Sequence, residues 1–210
     1  MKKQGAAALI AGAMILALTA CTSEGGAPEV TPAPAAAESA ESTPSPTPEA
    51  VTTVGTRQAP LAIGEARRIA DDSMWTVSLT SSNLDAWPAI HAQDEYAVPP
   101  ADGETFVVGT FSVAADATAY AEQGGDMAND GAQPWGSLQF EYVSADGASF
   151  SGLTGTMCYT GNQLGAQGPV YEDGAVVTGD VCVAVPSDKV AGGLWRISNS
   201  VNDSVWIAAS

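Results

Sequence analysis

From residue 59 onward, apolar and polar positions alternate in short runs. Trp75-Thr-Val77-Ser-Leu79-Thr keeps a period of two, as a half-buried strand does. Residues 106–113 form a more continuously apolar run and read as a central strand. Leu138-Gln-Phe140-Glu-Tyr142 alternates again. In residues 176–185, Val177, Val181, Val183 and Val185 fall on one face and Cys182 on the other. Residues 194–197 and 205–207 complete the set. Asp-Gly pairs at 102–103, 130–131, 146–147 and 173–174 supply residues that tolerate the positive φ of tight turns. The pair at 146–147 predicts a hairpin tip, and Pro99, Pro100, Pro134, Pro169 and Pro186 fall at strand margins, where no ladder donor is lost. Helical periodicity is weak. Residues 114–123 allow a turn or two of helix before Gly124-Gly125, and the stretch around Trp87 and His91 reads as a polar loop. Short strands with regular turn signals predict an all-β, antiparallel, immunoglobulin-like sandwich over residues 59–210. About 152 residues suffice for one domain.

The first 58 residues follow other patterns. Lys2 and Lys3 precede an apolar run over residues 5–19 of about 15 residues, short of the roughly 20 a spanning helix needs. Residues 1–20 read as a cleaved signal peptide. Leu18-Thr19-Ala20-Cys21 resembles the lipobox of bacterial lipoproteins. That resemblance implies diacylglycerol transfer to Cys21, cleavage before it, and a lipid anchor on the extracytoplasmic face of the cell membrane. The alternative is an ordinary signal peptide with a chance cysteine. Residues 21–58 are rich in Pro, Ala, Ser, Thr and Glu, and nearly lack large apolar side chains. Such a segment cannot bury enough surface to offset the entropy of ordering it, so it reads as a disordered membrane tether. At ~3.1 Å per residue of polyproline II, it reaches at most roughly 115 Å.

Charge narrows the partners. Seven basic against 24 acidic residues give a net charge of −17, which repels nucleic-acid phosphates and excludes nucleic acid as a partner. With Cys21 taken by lipid, Cys158 and Cys182 remain as an even pair, and outside the membrane such a pair is expected to be bridged. Zinc is poorly supported, since His91 is the only histidine and no C-x-x-C occurs.

Four stretches resemble the bacterial extracytoplasmic domain-of-unknown-function family 4352. They are Pro60-Leu-Ala-Ile-Gly64 ahead of the Trp75 strand, residues 100–108, residues 138–147, and residues 174–186. The resemblance implies an immunoglobulin-like sandwich related to a secreted mycobacterial antigen, often carried on a lipoprotein with a low-complexity stalk. It supplies no catalytic residues. The cysteine pair and the long acidic excursion between Val113 and Leu138 depart from the family pattern.

Few constellations carry chemistry. A serine nucleophile needs a histidine base, and His91 stands alone without a G-x-S-x-G elbow. No catalytic residue is assigned. Asp126, Asn129 and Asp130 put hard oxygen ligands close together, the chemistry of a Ca²⁺ site, although without the ligand spacing of an EF-hand. No other cofactor is implied. Trp87, Tyr96 and Trp135 border loops and are candidate anchors for a protein or envelope ligand; their alternative role is to plug the open ends of the sandwich. The expected function is a non-catalytic binding module of the bacterial envelope. The alternatives are a small carboxylate-dependent hydrolase and a calcium-stabilised spacer.

Overall fold

The computed structural model of the protein describes residues 54–210; the signal peptide, Cys21 and the tether over residues 21–53 lie outside the described residues. In chain order the strands are β1 (Ala66–Arg68), β2 (Trp75–Asn83), β3 (Glu104–Ala115), β4 (Leu138–Val143), β5 (Ser149–Ser151), β6 (Val176–Pro186), β7 (Leu194–Asn199) and β8 (Ser204–Ala208). Short helices occupy Trp87–Gln93 (α1), Ala117–Glu122 (α2), Met127–Asp130 (α3) and Pro134–Ser137 (α4). One sheet has the order β1-β2-β3-β6 and the other β5-β4-β7-β8, with every pairing antiparallel.

This order is immunoglobulin-like. Strands β2, β3 and β6 take the places of A, B and E, while β4, β7 and β8 take those of C, F and G, with β5 beside C. Among the described residues no strand takes the place of D, and residues 152–175 run from β5 to β6 without a strand.

Alternation builds the core. Val107, Phe111 and Val113 of β3 and Val177, Val181, Val183 and Val185 of β6 face inward, all buried. They meet Phe140 and Tyr142 of β4 and Trp195 and Ile197 of β7 from the opposite sheet. Phe111 tilts against Phe140 at 4.9 Å, and Trp195 makes edge-to-face contacts with Phe111 at 5.3 Å and Tyr142 at 5.5 Å. Such pairs contribute about 0.5–1.5 kcal/mol each beyond their burial. Antibody domains bridge their B and F strands with a disulfide at the sandwich centre. Here Gly109 leaves room for an indole instead: a Cβ on it would lie 2.8 Å from the Trp195 ring and 2.7 Å from Phe111.

Residues 54–58 carry the composition of the tether, yet they pack on the sandwich. The Gly55 carbonyl accepts from the Trp206 N–H at 3.0 Å, and the Arg57 guanidinium lies 5.8 Å from the centre of the Trp206 ring. The stretch around His91 is a helix and not the expected loop. Pro88 sits in the first turn of α1, where its missing N–H costs no hydrogen bond, and Ile90 is buried beneath. The acidic excursion after β3 folds into α2, α3 and α4, with Gly124 at φ +85° ending the first of them.

Candidate functional site

The site lies on the outer face of the β3–β6 sheet, away from the core. Residues of even number on these strands point outward, so Phe106, Cys182 and Ala184 would be a solvated stripe in a bare sandwich. They are buried instead. Ile90 of helix α1 and Ala86 just before it cover them, forming a second small apolar cluster against which Trp87, Ala97 and Cys158 pack.

The rest of the cover is the segment after β5. Cys158 is bridged to Cys182 with a Cα–Cα distance of 5.7 Å, as the even pair of thiols leads one to expect. Other ties are sparse. Thr156 donates its hydroxyl to a Glu104 carboxylate oxygen at 3.0 Å, Gln163 donates to the Cys158 carbonyl at 3.1 Å, and the Asp180 N–H donates to the Asn162 carbonyl at 2.7 Å. The chain then rounds the edge of β6, where Leu164 enters the core. Gly179 permits this, because a Cβ there would lie 2.6 Å from the Leu164 Cα.

Two contiguous depressions result. One, of about 350 Å³, is lined by Ile90, Asp94, Tyr96, Ala97, Val98, Phe106, Thr156, Met157 and Tyr159. The other, of about 160 Å³, runs along the disulfide and is lined by Trp135, Met157, Cys158, Tyr159, Gln163 and Asp180 among others. Met157 and Tyr159 line both, so the two depressions adjoin across these side chains as one interrupted groove. Its rim is apolar and open to solvent: Tyr96 is 86% exposed, Met157 61%, Tyr159 60% and Trp135 44%. Large apolar side chains are exposed elsewhere too, Leu153 and Val201 among them, but those do not line these two depressions; apolar side chains gathered around a hollow mark an interaction surface.

The three aromatic candidates read from the sequence therefore diverge. Tyr96 and Trp135 stand at opposite parts of the groove. Trp135 is held by stacking on Phe140, with ring centres 6.3 Å apart and planes 9° from parallel. Trp87 is half-buried, edge-on to Phe106 at 6.2 Å and stacked on His91 at 5.0 Å, and it lines a neighbouring hollow with Asp85 and Glu104. Sequence reading missed Met157 and Tyr159. The available signal was two large side chains flanking a bridged cysteine in a run of Gly and Thr, where nothing in the local pattern buries them.

The oxygen cluster of Asp126, Asn129 and Asp130 is occupied by its own backbone. Asp126 caps α3 by accepting from the Asn129 N–H at 3.3 Å and from its side-chain amide at 2.6 Å, and Asp130 accepts from the Asp126 N–H at 3.1 Å. That is a helix-capping arrangement. Among the described residues, no three His, Cys, Asp or Glu side chains come together as metal ligands. The perturbed ionisable groups also lie off the groove. Asp116 is held below the usual carboxylate range, first by the Ala119 N–H and then by Arg68. Asp146 is held far below it, first by Lys189. Burial raises the Tyr142 phenol, whose hydroxyl donates to the Val190 carbonyl.

No protein-family model matches the chain, and no curated protein matches it. Solved structures do. A conserved hypothetical protein from Bacillus anthracis is similar at 10% identity over 70% of this chain and 94% of that one, with a TM-score of 0.39. A β-sandwich protein from Clostridium difficile 630 is similar at 13% identity over 72% and 95%, with a TM-score of 0.37. A candidate lipoprotein from Bacillus subtilis is similar at 12% identity over 64% of this chain and 36% of that one, with a TM-score of 0.35. Among the described residues no helix is long and apolar enough to cross a membrane.

Proposed function

We propose that this chain is a cell-surface lipoprotein, anchored through Cys21 on the extracytoplasmic face of the membrane. Its immunoglobulin-like domain is a non-catalytic binding module that takes an extended segment of a partner protein along the groove between Tyr96 and Trp135. The observation that carries this reading is the groove itself: large apolar side chains held in the open by a disulfide-tethered segment. Aromatic side chains supply large contact area at low cost in conformational entropy, and they dominate the energetics of many interfaces. The resemblance to family 4352 and the lipobox-like run support the envelope address. The preponderance of acids keeps the domain clear of anionic headgroups, so a tether would hold it off the surface.

A photoreactive amino acid placed at Tyr159 in the living cell tests the reading, with Gln139, exposed on β4 of the other sheet, as reference. Crosslinks are expected at Tyr159 and not at Gln139, and Cys21→Ser should release the protein from the membrane fraction. A Tyr96→Ser/Tyr159→Ser variant should lose the crosslinked partner while its stability changes by no more than about 0.5 kcal/mol, as exposed substitutions do. Equal crosslinking at both positions would remove the groove from the mechanism.

A further inference from the structure

We propose that the groove selects a cationic peptide, an extended segment that sets Lys or Arg side chains against Tyr96, Tyr159 and Trp135 and the carboxylates beside them. The inference rests on the binding reading above and adds the chemistry of the ligand.

The distribution of charge carries it. The cations of the described residues are Arg57, Arg67, Arg68, Lys189 and Arg196. None lines the groove. Arg68 pairs with Asp116, Lys189 with Asp146 at 2.8 Å, and Arg196 with Glu141 at 2.7 Å. Arg57 lies over Trp206, and Arg67 packs against Gly55 on β1. The groove keeps only acids: Asp94 in the wider depression and Asp180 in the narrower one. Asp94 accepts the Tyr96 N–H at 2.9 Å, and Asp180 accepts the Thr110 hydroxyl at 2.8 Å. Each contact engages one carboxylate oxygen, so acceptor capacity remains for a ligand's ammonium or guanidinium.

Aromatic faces and carboxylates favour the same partner. The π-face of Tyr or Trp attracts a cation, and the apolar stem of Lys or Arg packs on the ring while its head reaches an acid. In an extended segment, alternate side chains point the same way, which suits two adjoining depressions. An anionic segment would meet Asp94 and Asp180 without a compensating cation. A neutral sugar would use the rings but leave those acids idle.

Panning the full-length, disulfide-intact protein against a displayed library of random linear peptides tests the assignment. Winning peptides are then synthesised and titrated into wild type, Tyr96→Ser/Tyr159→Ser, Asp94→Asn/Asp180→Asn, and Asp203→Asn as an acid distant from the groove. Enriched peptides should carry an excess of Lys and Arg. Their affinity should fall at least tenfold in the tyrosine variant, about threefold or more in the double carboxamide variant, and not at all with Asp203→Asn; it should also weaken as salt rises. Groove-dependent winners with no basic excess would overturn the cationic assignment and leave the binding reading intact. Winners indifferent to the tyrosine variant would overturn both. Equal losses from all the acid substitutions would reduce the effect to net charge and overturn the assignment. Oligomers of N-acetylglucosamine are titrated in parallel; their binding at the tyrosines, with no peptide enriched, would also overturn it.

Discussion

Strand β6 is covered on both faces, and the two covers are made in opposite ways. Its inward valines are set in register by the ladder with β3 and share one buried core with the aromatic rings of the other sheet. Its outward Cys182 and Ala184 meet one short helix and a segment without regular structure, held by a covalent bridge and a few hydrogen bonds. The first cover is redundant, since each residue is positioned by many neighbours. The second is sparse, and it leaves Met157 and Tyr159 exposed. A sheet-on-sheet interface stabilises the fold, whereas a thin, tethered cover can present side chains to a partner without the sandwich having to move.

The sharpest break between the two covers is at Trp195, which is fully buried beside Gly109. Trp195→Ala should destabilise the whole domain by about 3–5 kcal/mol, through lost transfer free energy and the cavity left behind. Urea unfolding should show the loss with every probe at once; a cost below about 1 kcal/mol would mean that the sheets close over the gap. Next in size is the bridge. Replacing Cys158 and Cys182 by serine opens a loop with a sequence separation of 24, worth about 2–4 kcal/mol. Far-UV strand signal should persist, and hydrogen exchange should rise in residues 152–163 and not in β4 or β7. Uniform exchange across both sheets would show that the outer cover is integral to the core.

The smallest effect concerns charge at the hairpin tip, where Asp146 meets Lys189. The folded-state pKa of Asp146 lies below its ordinary value of 3.8. Its contribution to stability is therefore present above pH 3.8 and disappears as pH falls through the folded value. Lys189 is shifted upward, so its share persists to high pH and fades only as pH rises through that raised value. Both side chains are substantially solvated, and the pair is screened. Asp146→Asn should melt slightly below wild type at neutral pH, and the gap should narrow steadily as pH falls below 3.8. A gap of constant size across that range would show that the aspartate acts through its turn hydrogen bonds and not its charge.

Legibility in the sequence followed the same division. The alternations at Trp75, Phe140 and the valines of β6 announced strands, because period two is a local property that any sheet must satisfy. The Asp146-Gly147 hairpin was equally plain, with Gly147 at φ +92°. Helix α1 was missed because it is short and its single buried residue, Ile90, finds its partner in Phe106, far along the chain. Tyr96 and Trp135 were singled out as candidates, but nothing local could show that they border one groove. The links between them, Met157 and Tyr159, arrive through a segment with no periodicity.

Strand order along the chain, the turns, the pairing of the two later cysteines and the acidity follow from residue types and their spacing, since each depends on neighbours a few positions away or on simple counting. The tertiary structure alone decided which outward face would be covered, and that the bridge would lie on that face and not between the sheets. It also kept every described cation away from the tyrosines. Those outcomes come from long-range packing, in which Gly109 yields the centre to Trp195 and Gly179 lets Leu164 cross the edge of β6. No local pattern encodes such meetings, because each requires two distant segments to arrive at the same place.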